Sequence, residues 1–194
     1  RAHRVRARLL PMTDDRVRTF VHTERGRLPF QDYLVRGHGR GTVGRIEIAG
    51  ARRARPAPGV LAALAASDAI VIAPSNPLVS VGPILAVPAI RRALRRRRAP
   101  VAAVSPLVGG RPLRGPLHRM LRGLGHEVSP RGVAALYRGL IDVFVLDRTD
   151  ARWAPAVAAL GIRPVVTDTI MRTPARAAHL ASVVLRALDD QRAS

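Results

Sequence analysis

Between Ala69 and Ile90 the chain runs for 22 residues without a charged side chain, and this stretch limits what the rest can fold into. Its length suits a bilayer crossing, yet it holds Pro74, Pro77, Pro83 and Pro88. Each would leave helix backbone unpaired in hydrocarbon, so the segment belongs in a protein core. Ala69–Ala73 reads as a buried β-strand that empties into a stiff polar turn at Ser75 and Asn76, the latter the only asparagine in the chain. Open α/β sheets place their ligands just beyond the carboxyl ends of the strands. That turn is therefore the first candidate for function.

With 194 residues the chain can bury one substantial core, or a core and a small appendage. It opens on Arg1 with no secretory leader pattern, as expected of a processed chain or a fragment. The lack of cysteine excludes disulfides and thiolate metal sites and suits a cytoplasmic protein. The six histidines, at 3, 22, 38, 118, 126 and 179, show no i, i+3 or i, i+4 pair, so local spacing does not support a histidine metal site.

A net charge of +20 raises the question of nucleic acid. All 33 basic residues are arginine and are spread along the chain, beside an excess of alanine, as a coding bias would leave them. The dense run Arg91–Arg98 falls at a helix end, where cations complement the dipole. One Trp, two Tyr and three Phe are too few, and too far from the arginines, to form a base-stacking platform. The expectation is a solvated basic face with some use for anionic ligands, and neither a nucleic-acid nor a membrane partner.

Two patterns divide the chain. In residues 1–57, strands are expected at Val17–His22 and Val43–Ile48, with a short amphipathic piece at Phe30–Val35 and a flexible connector at Gly37–Gly44. Arg52–Pro58 reads as a linker. From Gly59 onward helices and strands alternate, with helices at Gly59–Ser67, Pro88–Arg97, Pro116–Leu124, Gly132–Gly139, Trp153–Leu160 and Thr173–Leu188. Strands are expected at Ala69–Ala73, Val101–Val104, Glu127–Val128, Val143–Leu146 and Arg163–Thr167. Strands separated by single helices imply βαβ units. The fold class is thus α/β: a Rossmann-like, mostly parallel sheet flanked by helices over 58–194, with a smaller α+β subdomain at 1–57.

Gly39-x-Gly41-x-x-Gly44 matches a dinucleotide fingerprint as a string, but it precedes a strand and no helix follows to meet a pyrophosphate. The exit of Val101–Val104 is more informative. Ser105 through Pro116 contains Gly109, Gly110, Arg111 and Arg114 ahead of a helix. Adjacent glycines can form an anion-binding nest and arginines suit phosphate oxygens, though an ordinary β–α loop reads the same way. Asp147 and Asp168 also fall at strand ends, where they could hold a cation, though Asp168 between two threonines is as easily a turn or helix cap. Ser/His/Asp and Cys/His triads have no support in the sequence.

Six segments in order resemble the 2-phospho-L-lactate transferase family of deazaflavin coenzyme F-420 biosynthesis. They are Leu10–Asp15, Phe30–Arg36, Pro74–Leu85, Val104–Pro116, Gly132–Tyr137 and Thr167–Met171. The resemblance runs over essentially the whole chain and implies a Rossmann-like sheet with a smaller second domain. It also implies transfer of a phospholactyl (or phosphoenolpyruvyl) group from a guanosine-diphosphate-linked donor to the ribityl hydroxyl of Fo, giving F-420-0 (or its dehydro form) and GMP, with Mg²⁺. Ala73 and Ala89 stand where the family usually has glycine, and Arg111 and Arg114 where lysine is common. The family's opening glycine-rich β–α turn and its acidic segments have no counterpart here. The chain thus corresponds to the C-terminal part of such an enzyme, with the metal ligands expected elsewhere.

On this reading Ser75, Asn76, Gly109, Gly110 and Arg111 would contact the donor, and Arg114 would meet transition-state charge. Met12, Thr13 and Asp14 would face Fo, and a homodimer is compatible with the family. Two other readings are a nicotinamide-dependent oxidoreductase, which would need a correctly placed glycine fingerprint, and a non-enzymatic basic anion- or nucleic-acid-binding module.

Overall fold

The computed structural model describes residues 7–193. Its centre is a parallel sheet of four strands, β4 (Ile70–Ile72), β5 (Val101–Val104), β8 (Val143–Asp147) and β9 (Arg163–Thr167), which lie side by side in that order. Every residue of β5 and β8 is buried, as a parallel sheet covered on both faces requires. Period-two alternation divides their side chains. Val101, Ala103, Phe144 and Leu146 enter one apolar cluster, while Ala102, Val104, Val143 and Val145 enter another.

The second cluster is closed by α7 (Pro174–Ala193) through Leu180, Val184, Ala187 and Leu188. The first is closed by residues of α2 (Val81–Ala86), α3 (Pro88–Arg95), α4 (Leu117–Gly123), α5 (Pro130–Leu136) and α6 (Ala154–Ala158). The short helix α1 (Val60–Ala65) packs Val60 and Leu64 against its edge. The outer side of β4 pairs with no strand among the described residues. An apolar groove of about 640 Å³ runs beside it, with Val71, Ile84 and Leu64 in its walls.

A separate antiparallel sheet, ordered β2 (Gly26–Pro29), β1 (Arg18–Thr23), β3 (Val43–Ala49), holds the N-terminal third. Its core of Val21, Tyr33 and Val43 includes Met120 from α4, which fastens the small sheet to the large one. Gly123 lets α4 pack closely on β3, since a Cβ there would collide with the Val43 carbonyl oxygen.

Several elements differ from the sequence expectation. Glu127–Val128 is not a strand. Ser129 caps α5 by accepting from the Gly132 N–H (3.0 Å), and Pro130 starts the helix two residues before the expected Gly132. The expected turn after β4 continues into α2, whose Pro83 falls within the first turn, where no N–H is needed. Val87 is extended before Pro88 and separates α2 from α3. Residues 37–44 are tied down by Gly37 N–H to Asp32 O, by Gly39 N–H and Tyr33 Oη–H to backbone, and by Arg119 to Gly39 O. Arg97, in the basic run, is paired rather than solvated. Its guanidinium holds both carboxylate oxygens of Asp142 at 2.8 and 2.7 Å, and Asp142 also accepts from the Val101 N–H.

Asn76 starts the turn into α2. Its Oδ1 accepts from the Leu78 N–H (2.9 Å) and the Val79 N–H (3.3 Å), and its carbonyl accepts from Ser80 and Val81. Removing this cap in Asn76→Ala should destabilise the protein by about 1 kcal/mol, read as a lower melting temperature. An unchanged melting temperature would reject the capping role. On the small sheet, Glu47 accepts from Arg27 (3.0 and 2.9 Å) and from His22 (3.0 Å). Hydrogen bonds from Arg27, then His22, hold its pKa at about 2, below the ordinary 4.5. The resulting stability is present above the unfolded value and lost as pH falls toward about 2. Thermal melts of Glu47→Gln should show a shallower loss over that window than wild type.

Candidate functional site

The carboxyl ends of the four parallel strands face one edge, and a cavity of about 570 Å³ opens there. Ser75 and Asn76 beyond β4, Ser105 and Pro106 beyond β5, and Thr169–Arg172 beyond β9 line it, with Pro112–Leu117 forming a further wall. Phe30 and Leu34 reach in from the small sheet's side. Three strand exits and the N-terminal sheet thus converge on one hollow.

The Ser105–Pro116 segment is built as a hairpin. β6 (Leu107–Val108) and β7 (Arg111–Pro112) pair across Gly109 and Gly110. Both glycines have positive φ, 61° and 72°, as a two-residue hairpin of the primed type demands. Ser105 folds its base, with Oγ accepting from the Leu107 N–H and donating to the Leu107 carbonyl.

This geometry revises part of the expected site. The Gly109 N–H donates to Thr149 Oγ1 (2.9 Å), so one of the two N–H groups of the expected nest is engaged within the protein. Asp150 is 1% exposed. Burial pushes its pKa up, against the Gly110 and Gly109 N–H groups. Gly109, Gly110 and Arg111 do not line the cavity. Asn76 does, but its oxygen is committed to the cap, and its Nδ2 faces Met120 Sδ at 3.7 Å.

Ser75 and Arg114 remain as sequence-named residues with uncommitted polar groups in the cavity walls. Neither has a hydrogen-bond or ion-pair partner among the described residues. Arg172 lines the same cavity. The sequence did not single it out, although an arginine directly after the Thr167–Met171 motif carried the signal. The surroundings are electropositive: burial, then Arg119, Arg122 and Arg111, pushes the His118 pKa down. Such a field favours an anion between the two arginines.

The Leu10–Asp15 segment lies elsewhere. Met12 lines the groove beside β4. Thr13 Oγ1 donates to the Arg55 carbonyl and Asp15 accepts from the Arg55 N–H (2.7 Å), so the segment is pinned to residues 55–57. Thr13 and Asp14 line neither hollow. Ser75 lines both.

The carboxylates are a poor seat for a divalent cation. Asp147 accepts four hydrogen bonds from Thr149 and Thr169. Asp168 accepts from the Ile170 N–H and pairs with Arg176 at 2.7 Å, which makes it a turn cap. No group of three His, Cys, Asp or Glu able to hold a metal occurs among the described residues. No helix among them is long and apolar enough to cross a membrane. Gly39–Gly44 runs into β3 with no helix directly after it, and Gly39 lies close to Pro116.

Comparison with known proteins bears directly on this geometry. The family model described as 2-phospho-L-lactate transferase CofD matches residues 1–184. A 2-phospho-L-lactate transferase from Methanosarcina acetivorans is 40% identical over 94% of this chain and 59% of its own length. A phosphoenolpyruvate transferase from Kitasatospora aureofaciens is 43% identical over 92% of this chain and 57% of its own. The chain thus spans under three-fifths of these relatives. A crystal structure of a UPF0052-family protein from Bacillus halodurans aligns with TM-score 0.58 at 17% identity, over 89% of this chain and 58% of that one, and shares the fold. A match of this extent and identity makes the chain a member of the 2-phospho-L-lactate transferase family.

Proposed function

We propose that the cavity at the carboxyl edge binds the diphosphate of a guanosine-diphosphate-linked lactate or enolpyruvate donor, and that the full-length protein transfers the phospholactyl or phosphoenolpyruvyl group to Fo. The observation that supports this most is that Arg114 and Arg172 both line a cavity formed by strand exits, in a chain of this family. Guanidinium groups bind phosphate oxygens through two N–H donors at once. Ser75 Oγ would donate to the same group from the β4 side.

In this reading the Fo hydroxyl attacks the phosphorus carrying the lactyl or enolpyruvyl group. A new P–O bond forms as the bond to the bridging oxygen breaks, and GMP leaves with that oxygen. The arginines would stabilise charge on the phosphoryl oxygens, and the walls would hold the donor in line with the hydroxyl. No covalent enzyme intermediate is needed. Met12, which with Ser75 lines the neighbouring groove, would serve the acceptor side. Mg²⁺, which the family reading implies, would be held by polypeptide outside this chain, because the carboxylates described above are otherwise engaged.

Arg114→Ala should weaken GDP binding by about tenfold or more, the effect of losing a charge-assisted hydrogen bond, measured by calorimetry. Arg111→Ala, outside the cavity, should leave the affinity close to wild type. Equal losses in both would move the donor site elsewhere. The 194-residue chain alone should show little transfer to Fo, because the groove beside β4 and the metal ligands await further polypeptide. Product formation by mass spectrometry, compared with a longer family-length form, measures this. Equal turnover in both would show that the additional part is dispensable.

A further inference from the structure

We propose that Asp147, the last residue of β8, is a positioning residue that sets the spacing between two walls of the donor cavity. This rests on the reading of that cavity as a diphosphate site. Asp147 is 3% exposed and has no arginine or histidine partner among the described residues. Its charge is met entirely by hydrogen bonds from Thr149, in the helical turn that Asp147 itself caps, and from Thr169 beyond β9.

Oδ1 accepts from Thr149 N–H (2.9 Å) and Thr149 Oγ1–H (2.8 Å). Oδ2 accepts from Thr169 N–H (3.0 Å) and Thr169 Oγ1–H (3.1 Å). Each carboxylate oxygen therefore uses both of its lone-pair directions. Thr149 Oγ1, having donated to Asp147, accepts from the Gly109 N–H at the tip of the β6–β7 hairpin. One buried carboxylate thus links the hairpin, through Thr149, to the β9 exit, through Thr169.

These linked segments carry the cavity walls. Thr169–Arg172 is one wall, and Pro112–Leu117, which leaves the hairpin directly, is the other. Arg114 follows the hairpin and Arg172 follows the β9 exit in the chain. Burial works against ionised Asp147, but the four bonds from Thr169 and Thr149 together outweigh it and hold the group below the usual carboxylate range. An anion in this position accepts four donors without offering any. That is the pattern needed to clamp two loops whose own N–H groups point inward.

Asp147→Asn is the sharpest test, because a carboxamide keeps the shape but offers Nδ2 donors to one pair of threonine donors. One end of the bridge must then open. At a temperature well below every melting point, GDP should bind about tenfold more weakly to Asp147→Asn, the equivalent of one lost hydrogen bond. Thr149→Val should behave similarly, and Thr149→Ser, which keeps the hydroxyl, should restore wild-type affinity. Leu180→Ala, on the far face of the sheet, provides the control: it should lower the melting temperature and leave the affinity unchanged.

A folded Asp147→Asn with wild-type affinity would overturn the proposal, as would an equal affinity loss in Leu180→Ala. Amide hydrogen exchange supplies a readout that needs no nucleotide. Residues 107–113 and 168–172 should both exchange faster in Asp147→Asn, and unchanged exchange in both would overturn the bridge. If wild type does not bind GDP while this exchange result holds, the donor reading fails and the positioning role of Asp147 stands.

Discussion

Burial of β5 and β8 on both faces decides where chemistry can occur in this molecule. A strand whose every side chain is enclosed has no room for an uncompensated polar group along its length. Polar function can therefore appear only past the strand ends. At the amino end, Asp142 meets this constraint by pairing with Arg97 and accepting from Val101. At the carboxyl end, Asp147 meets it with threonines alone. The first end is held by an arginine–carboxylate pair, while the second supports loops that enclose the cavity between the strand exits.

That difference also explains how an arginine-rich chain concentrates charge usefully. Several arginines are consumed by internal acids: Arg27 by Glu47, Arg97 by Asp142, Arg163 by Asp190 and Arg176 by Asp168. Arg114 and Arg172 have no such partner among the described residues and stand in cavity walls. Net charge alone did not distinguish these groups. What distinguishes them is their place in the cavity walls together with the absence of a carboxylate partner among the described residues.

Much of the α/β core was legible in the sequence, because runs such as Val101–Val104 and Val143–Leu146 are apolar throughout and are separated by helical stripes. The misses have local causes. Helix α2 was hidden by Pro83 and Gly82, residues that usually end a helix but are tolerated in its first turn. Glu127–Val128 has strand-like composition but serves as the lead-in to a capped helix. At the site, Ser75 and Arg114 were readable from their places after strands. Gly109 and Gly110 were readable as a turn, but not as a turn whose Gly109 N–H is taken by Thr149, 40 residues away. Asn76 carried the same ambiguity, since a carboxamide beside prolines serves equally as ligand or cap.

The order of the sheet has a consequence for where its two hollows meet. From β4 to β9 the strands follow one another in chain order, so the winding never reverses within these residues. In open sheets a binding crevice forms where winding does reverse and successive crossovers leave on opposite faces. Here the only side on which a further strand can produce that reversal next to Ser75 is the unpaired side of β4. A strand added there would turn β4 from a border into an interior strand. Ser75, which now touches two separate hollows, would then stand at the seam of a single continuous crevice, with the basic walls on one side and Met12 on the other.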